Sequence, residues 1–415
     1  MARTKLLILW LAASAALVPA LGAGDRALTL DEAVAQSLAR HPDILQAQQG
    51  VEAARGRARM LGALSGPELS FEAAGLPLWR SNTDEEFSLG LRQVLEFPGK
   101  RSLRRDIGRS GEEQAGIESE RTKNLVRNRV EKAYFEAASA ERRLAVLESV
   151  LATIKEYSEL AAERYKNGQT AYLDLVRGRL ESLRVQNEIV EARRELKEKT
   201  SSLLLAMGGG SYEPLTFATE IGFSPLGQSW EELKEKALAG STLRLAGSRR
   251  RQFEFAHSLA RKAGWPDFTF GLFLPSKKLG SWGFEIGLTL PFLSRGPGGA
   301  AIEAEAQSRQ AAIAAQGQTL RVLFALEKSY ADAKALEEQI GLFRGSIIRD
   351  VEEALKAGLV NYQYGKSDAL GVLDIVRSLK EVRAEYLRAL LNHRLALIEI
   401  AAAGEEDGLG PGPSD

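Results

Sequence analysis

The sequence predicts a mainly α-helical fold with a small β part, built as a tandem repeat of one elongated unit. Three observations carry this. First, the chain says the same thing twice: Pro67-Glu-Leu-Ser-Phe71, an alternating run from Phe87 to Val94, and Tyr165-Lys-Asn-Gly168 with Leu173-Asp174 return as Pro266-Asp-Phe-Thr-Phe270, Trp282 to Leu290, and Tyr362-Gln-Tyr-Gly365 with Leu373-Asp374. Second, each half holds a heptad pattern far longer than a globular helix needs. Third, four short segments alternate apolar and polar residues in the manner of strands.

Each half reads helix, two short strands, very long helix, turn, long helix. The expected boundaries are a first repeat at 24–207 with strands near 67–76 and 86–95, a linker at 208–228, and a second repeat at 229–403 with strands near 266–274 and 282–291. A Gly/Pro-rich acidic tail at 404–415 has the composition of a disordered segment. The leading helices are expected as single amphipathic segments, Leu30 to about Leu64 and Trp230 to about Ala263.

Residues 1–23 have the make-up of a secretory signal peptide: Arg3 and Lys5, an apolar run from Leu6 to Val18, then small residues at Ala20, Gly22 and Ala23. That run is about 13 residues, short of the roughly 20 of a spanning helix. No later segment is apolar for long enough, so membrane insertion of the mature chain must use strands.

Composition excludes several classes. The 415 residues carry 55 basic and 55 acidic side chains, which leaves no electrostatic footprint for nucleic acid. There is no cysteine, hence no disulfide, thiolate metal site or lipid anchor that needs an N-terminal cysteine, and His41, His257 and His393 lie far apart without metal-ligand spacing. Gly208-Gly-Gly210 lacks the strand, Lys-Ser/Thr and helix of a phosphate loop, and no nucleophile motif is present, so no enzyme activity, metal site or cofactor is expected.

The strands are greasy on one face. Leu69, Phe71 and Ala73 oppose Glu68, Ser70 and Glu72; Phe87, Leu89 and Leu91 oppose Ser88, Gly90 and Arg92; Phe268, Phe270, Leu272 and Leu274 oppose Thr269 and Gly271; Trp282, Phe284, Ile286, Leu288 and Leu290 oppose Gly283, Glu285, Gly287 and Thr289. This is the length and pattern of outer-membrane barrel strands, the alternative being a half-buried sheet in a soluble domain. Four strands cannot close a membrane barrel, and an open edge in lipid leaves unpaired backbone groups, so several copies must share one barrel. Two copies supply eight strands and three supply twelve; strand number alone does not choose.

After Pro98-Gly99 the chain runs without proline to Glu213, broken at Asn167-Gly168. Val126, Val130, Ala133, Ala137, Ala140, Leu144, Leu147, Leu151, Ile154, Ser158, Ala161 and Tyr165 keep a 4,3 spacing, and from Gly99 to Lys166 the helix is about 100 Å long at 1.5 Å per residue. The arm Ala171 to Met207 returns along it. The second half repeats this from about Ala300 to Asn361 and from Ala369 to Ala402, with Leu336, Ile340, Phe343 and Ile347 in the seam.

Together with the signal peptide, Leu-Glu-Phe-Pro-Gly-Lys-Arg at 95–101 and the paired Tyr-x-x-Gly...Leu-Asp turns, this order of elements resembles the TolC-like outer-membrane efflux proteins over the whole mature chain, and the Pro-Gly-Lys-Arg element resembles their heavy-metal branch. The resemblance implies a homotrimer: a twelve-stranded barrel in the outer membrane and a long coiled-coil tunnel in the periplasm. It implies a passive channel of a tripartite efflux system, served by a periplasmic adaptor (membrane fusion) protein and an inner-membrane efflux pump. Two other readings are a duct for type I protein secretion and a soluble periplasmic coiled-coil scaffold.

The resemblance places a periplasmic gate at the hairpin ends. Asp374 matches an acidic position on the inner hairpin, and Asp174 with Tyr362 match a pair linking neighbouring helices in the closed state. Gly168, Gly365, Leu173 and Leu373 mark the turns where an adaptor docks. Gly371 and Ser367 depart from the pattern, standing where some relatives carry a further Asp and a network-completing Arg; Lys366 is a candidate substitute. Independently of any family, one acidic side chain near a symmetric pore axis becomes a ring that attracts cations. The alternative is that Asp174 and Asp374 cap the returning helices. Finally Lys100, Arg101, Arg104, Arg105 and Arg109 crowd a helix N-terminus, where the macrodipole disfavours cations. Two explanations are open: contact with anionic outer-membrane lipid headgroups, or pairing with neighbouring acidic helices.

Overall fold

The computed structural model describes residues 27–74, 86–209, 215–275 and 282–404. The signal peptide, the tail from 405, the two strand-connecting loops and Gly210 lie outside the described residues. The first repeat contains α1 (Leu30–Arg40), α2 (Pro42–Gly62), β1 (Glu68–Ala74), β2 (Glu86–Leu95), α3 (Lys100–Lys166) and α4 (Tyr172–Ala206). The second contains α5 (Trp230–Ala239), α6 (Ser241–Lys262), β3 (Phe268–Pro275), β4 (Gly283–Leu288), α7 (Gly296–Leu342), a π turn (Phe343–Ile347), α8 (Ile348–Gln363) and α9 (Ala369–Gly404).

Both leading helices differ from expectation: each is two helices. Pro42 lacks an amide donor and disfavours helical backbone at the residue before it, so His41 is extended (ψ 129°) and its imidazole Nδ1 accepts the Asp43 amide at 3.1 Å, starting α2. Gly240 (ψ 160°) breaks the second pair. α1 and α5 begin with full capping boxes, Thr29 with Glu32 and Ser229 with Glu232, in which the hydroxyl and the carboxylate reciprocally satisfy backbone amides. β4 stops short of the expected 291. Pro291 cannot donate, although the Thr289 amide still donates to the Asp267 carbonyl at 3.0 Å.

The four strands form one antiparallel sheet in the order β1-β2-β3-β4. Register aligns Leu69, Leu91, Leu272 and Phe284 in one row and Phe71, Leu89 and Leu274 in another. These apolar residues are exposed, Phe71 by 69% and Phe284 by 70%, and none of the described elements covers them. The other face is polar: Arg92 lies between Glu285 (3.2 Å) and Glu68 (4.0 Å). β1 and β4 are open edges.

The long helices extend from this sheet. α3 is packed along its length by α2, α4, α6 and α9, so the heptad seam serves a layer of helices rather than a two-stranded coil. Val126, Val130, Ala137, Ile154 and Ala161 of that seam are buried, whereas Tyr165, at its end, is 43% exposed. Among the described residues no helix is long and apolar enough to cross a membrane.

The linker is held rather than loose. Phe217 bridges Leu28, the Tyr134 hydroxyl donates to the Leu28 carbonyl (2.7 Å) and accepts the Thr219 amide (3.0 Å), and Glu337 accepts the Leu226 amide. Beside Glu337 lies His393, buried, 3.7 Å from the carboxylate and stacked near Phe223. Burial holds its pKa below the ordinary 6.5, against the opposing pull of Glu337 and with help from Arg394 and Lys334. A base whose folded pKa is depressed binds fewer protons than in the unfolded chain. Its stability contribution is therefore complete above pH 6.5 and lost as pH falls from there toward the folded pKa. We expect His393→Gln to flatten the decline in melting temperature between pH 7 and pH 5.5; an unchanged slope would count against His393 as its source.

Candidate functional site: the hairpin ends

The two hairpin turns are built alike. Gly168 (φ 69°) and Gly365 (φ 76°) take the left-handed conformation that ends a helix, and Gln169 and Lys366 donate back to the carbonyls of Arg164 (2.9 Å) and Asn361 (2.8 Å), as in a Schellman motif. The glycines are therefore required by backbone geometry. The returning helices start differently. Asp368, not Asp374, caps α9, its carboxylate accepting the Gly371 amide at 2.9 Å. Asp374 lies further along α9, exposed, and accepts from Arg377 at 3.2 Å. Asp174 sits in the first turn of α4, where it accepts from the Thr170 hydroxyl (2.5 Å) and Arg177 (3.5 Å). Neither Asp174 nor Asp374 caps a helix by hydrogen bond; Asp174 only places its charge in the first turn of α4, where the helix dipole favours it.

Tyr362 is buried in a cluster with Tyr157, Ala161, Ala369, Val372 and Leu373. Its ring lies 5.2 Å from that of Tyr157 and beneath the Arg164 guanidinium, 4.7 Å from the ring centre, which also donates to the Tyr362 carbonyl. Burial, then Tyr362, then the Asp174 carboxylate raise the Tyr157 hydroxyl pKa, so it stays protonated; no hydrogen bond joins Asp174 to Tyr362, the carboxylate accepting from Thr170 and Arg177 instead. The guanidinium beside Tyr362 is that of Arg164, from the other hairpin, and Lys366 lies exposed at the turn. Leu373 is buried and packs the cluster, whereas Leu173 is 53% exposed beside Tyr172 (56%). Only Leu173 of the two presents a surface in this conformation.

Between the hairpins, Glu181 of α4 is 4% exposed and accepts from Arg377 of α9 at 2.7 Å and from Arg184 at 3.4 Å. The Arg377 hydrogen bond holds the Glu181 carboxyl below its usual range despite burial. Lys380 adds a parallel pair with Glu188 at 2.7 Å. Sequence reasoning missed Tyr157, Arg164, Glu181 and Arg377. One signal was available: the repeat extends to Leu-Asp-x-Val-Arg at 173–177 and 373–377, so an arginine follows each Asp by one turn.

At the opposite end, the basic cluster is largely engaged within the chain. Lys100 is buried and donates to the Asp267 carboxylate and the Trp265 carbonyl, both at 2.8 Å. Arg101 donates to the Gly62 carbonyl (2.9 Å), Arg104 pairs with Glu96 (2.6 Å), and Arg105 packs under Gly62. The C-terminal carbonyls of α2 thus meet the N-terminus of α3, and the negative end of one helix dipole offsets the cost of placing cations at the positive end of the other. Lipid is not needed to account for Lys100, Arg101 or Arg104; Arg109 is exposed and only 3.9 Å from Asp106. Among the described residues no three His, Asp or Glu side chains gather as a metal site.

Comparison with known proteins agrees with this architecture. Residues 33–209 and 242–404 match the family model described as outer membrane efflux protein. The chain is 23% identical over 305 residues to the cobalt-zinc-cadmium resistance protein CzcC of Cupriavidus metallidurans, covering 71% of each. Its fold is similar to CusC (TM-score 0.80, 20% identity, 91% of this chain and 92% of that one). It is also similar to the open-state MtrE outer membrane channel of Neisseria gonorrhoeae (0.78, 18%, 93% and 91%) and to VceC of Vibrio cholerae (0.77, 19%, 90% and 96%). The two matched segments overlap the two repeats, and the chain belongs to the outer membrane efflux protein family: it is an outer-membrane efflux channel, not an enzyme.

Proposed function

We propose that three copies close a twelve-stranded barrel around one pore, with the long helices continuing it as a periplasmic tunnel whose narrow entrance is the ring of hairpin ends. One observation carries this reading: a four-stranded sheet with a wholly exposed apolar face, a polar opposite face and two open edges, set on helical hairpins tens of ångströms long. Lipid covers the apolar face, and β4 of one copy pairs with β1 of the next. The channel has no motor of its own. A periplasmic adaptor and an inner-membrane pump deliver the substrate, and the exposed Leu173 and Tyr172 beside Gly168, with Gly365 on the other turn, supply a docking surface at the tips.

The likeness to a cobalt-zinc-cadmium resistance protein and the Pro-Gly-Lys-Arg element support the heavy-metal branch, with divalent cations as cargo. The chain has no cysteine and three methionines, so the cargo is passed rather than held by soft ligands. Asp374, exposed at the tip, supplies one carboxylate per copy to a ring that favours cations, tempered by Arg377. Purified protein in planar bilayers should give discrete cation-preferring channels, and Asp374→Ala should lower the cation-to-anion permeability ratio several-fold with the channel otherwise intact. An unchanged ratio would remove Asp374 as the filter. A protein that forms no channels and extracts without detergent would overturn the whole reading.

A further inference from the structure

We propose that the π turn Phe343–Ile347 is the flexure about which the lower part of the second hairpin moves when the entrance opens. The inference rests on the channel reading above and locates its moving part. Four observations converge. The two long arms are counterparts in the duplication, yet α3 is unbroken over 67 residues, while its counterpart is three pieces of 47, 5 and 16 residues, one residue more in total. A π turn is how a helix absorbs one inserted residue without displacing either flank: the Ile348 amide donates to the Phe343 carbonyl, five residues back.

The residues there make the turn soft. Gly341 and Gly345 lie in and beside it, with nothing within 4 Å of where a Cβ would sit, so packing does not demand glycine at either position. Each glycine weakens a helix interior by about 1 kcal/mol relative to alanine. This softness lies where the hydrogen-bond ladder is already offset.

Attachment changes across the turn. Immediately above and at its start the arm is fixed to the linker: Glu337 accepts the Leu226 amide, Lys334 donates to the Leu226 carbonyl (3.4 Å), Ile340 and Phe343 pack with Ile221 and Phe223, and Arg344 lies over the Phe223 ring at 5.7 Å. Within it, Arg344 to Ser346 are exposed; Ile347 and Ile348 still pack with the same cluster, and beyond them α8 buries only Leu355, Gly358 and Tyr362 along one face. A rod clamped above a soft joint and held along one face below it bends at the joint. The consequence is that α8 carries Tyr362 toward or away from Tyr157 while α7 stays with the linker.

The chain has no cysteine, so single spin labels can be placed on the full-length detergent-extracted assembly at Asn361→Cys below the turn and at Lys328→Cys above it. The distribution of distances between copies should be broader at 361 than at 328. Deleting Gly345, which restores an unbroken α-helix, should narrow the distribution at 361 to that at 328. Equal widths in the parent protein, or an unchanged width at 361 after deletion, would overturn the flexure. If the deletion blocks assembly, Gly341→Ala with Gly345→Ala keeps the register and decides by the same criterion. Absence of any inter-copy distance in the parent would instead overturn the channel reading.

Discussion

Asp267→Ala should be the most damaging single substitution at the junction of sheet and helices, with Lys100→Ala next. Asp267 accepts the Phe97 amide (2.7 Å) and the Lys100 ammonium (2.8 Å), and Phe97 stacks on Trp265 with ring centres 4.7 Å apart. One carboxylate therefore ties the exit of β2 to the entry of β3. Removing it leaves a buried ammonium with a single carbonyl and an amide without its acceptor. Breaking a buried ion pair on one side costs about 3–5 kcal/mol. Lys100→Ala belongs at the lower end, about 3 kcal/mol by the same rule, because the Asp267 side chain is a quarter exposed and keeps the Phe97 amide. The double variant should cost less than the sum of the two, since neither charge is then stranded. Thermal melting of the detergent-extracted protein measures all three; single variants that melt with the parent, or strictly additive losses, would refute the clasp.

That clasp shows where sequence reasoning stops. The run Pro98-Gly99-Lys100-Arg101 is legible as a helix start with an anomalous excess of cations. Its resolution lay in α2 and in Asp267, 167 residues away from Lys100. Periodicity reports which face of an element is buried, not which carbonyl end of another helix will lie beside it. The same limit explains the hairpin ends. Both turns were legible because a positive φ demands glycine, and the strands were legible because pleating forces alternation. Tyr157 was hidden because it is one more large residue on a long apolar face. The π turn was hidden because a one-residue insertion in a 68-residue arm is invisible to a heptad count that begins again on the other side. The break at His41 is, by contrast, readable from Pro42, whose constraint on the preceding residue outweighs the amphipathic pattern that runs across it.

Arg377→Ala should loosen the two hairpins from each other more than any other substitution near the tips. Glu181 is nearly inaccessible, and Arg377 supplies its shortest ionic contact from across the α4 to α9 boundary. Without Arg377 the carboxylate keeps Arg184, which is mostly in solvent, so the arrangement of the hairpins seen here bears a poorly compensated buried charge that, on the gate reading proposed above, opening would hydrate. About two to three kcal/mol of lost closed-state preference is about a 30- to 140-fold shift in the open-to-closed ratio, since each 1.4 kcal/mol is tenfold. Single-channel recording should therefore show larger and longer openings for Arg377→Ala. Glu181→Gln should give a weaker version, because a neutral amide is cheaper to bury than an unpaired charge. The exchanged pair, Glu181→Arg with Arg377→Glu, should recover part of the closed preference. Selectivity separates this role from that of Asp374: Arg377→Ala frees the Asp374 carboxylate and should raise cation preference, whereas Glu181→Gln leaves the Asp374–Arg377 contact in place and should not. Arg377→Ala channels that open no more than the parent would mean that the packing of Tyr157 on Tyr362, and not the ion pair, holds the hairpins together.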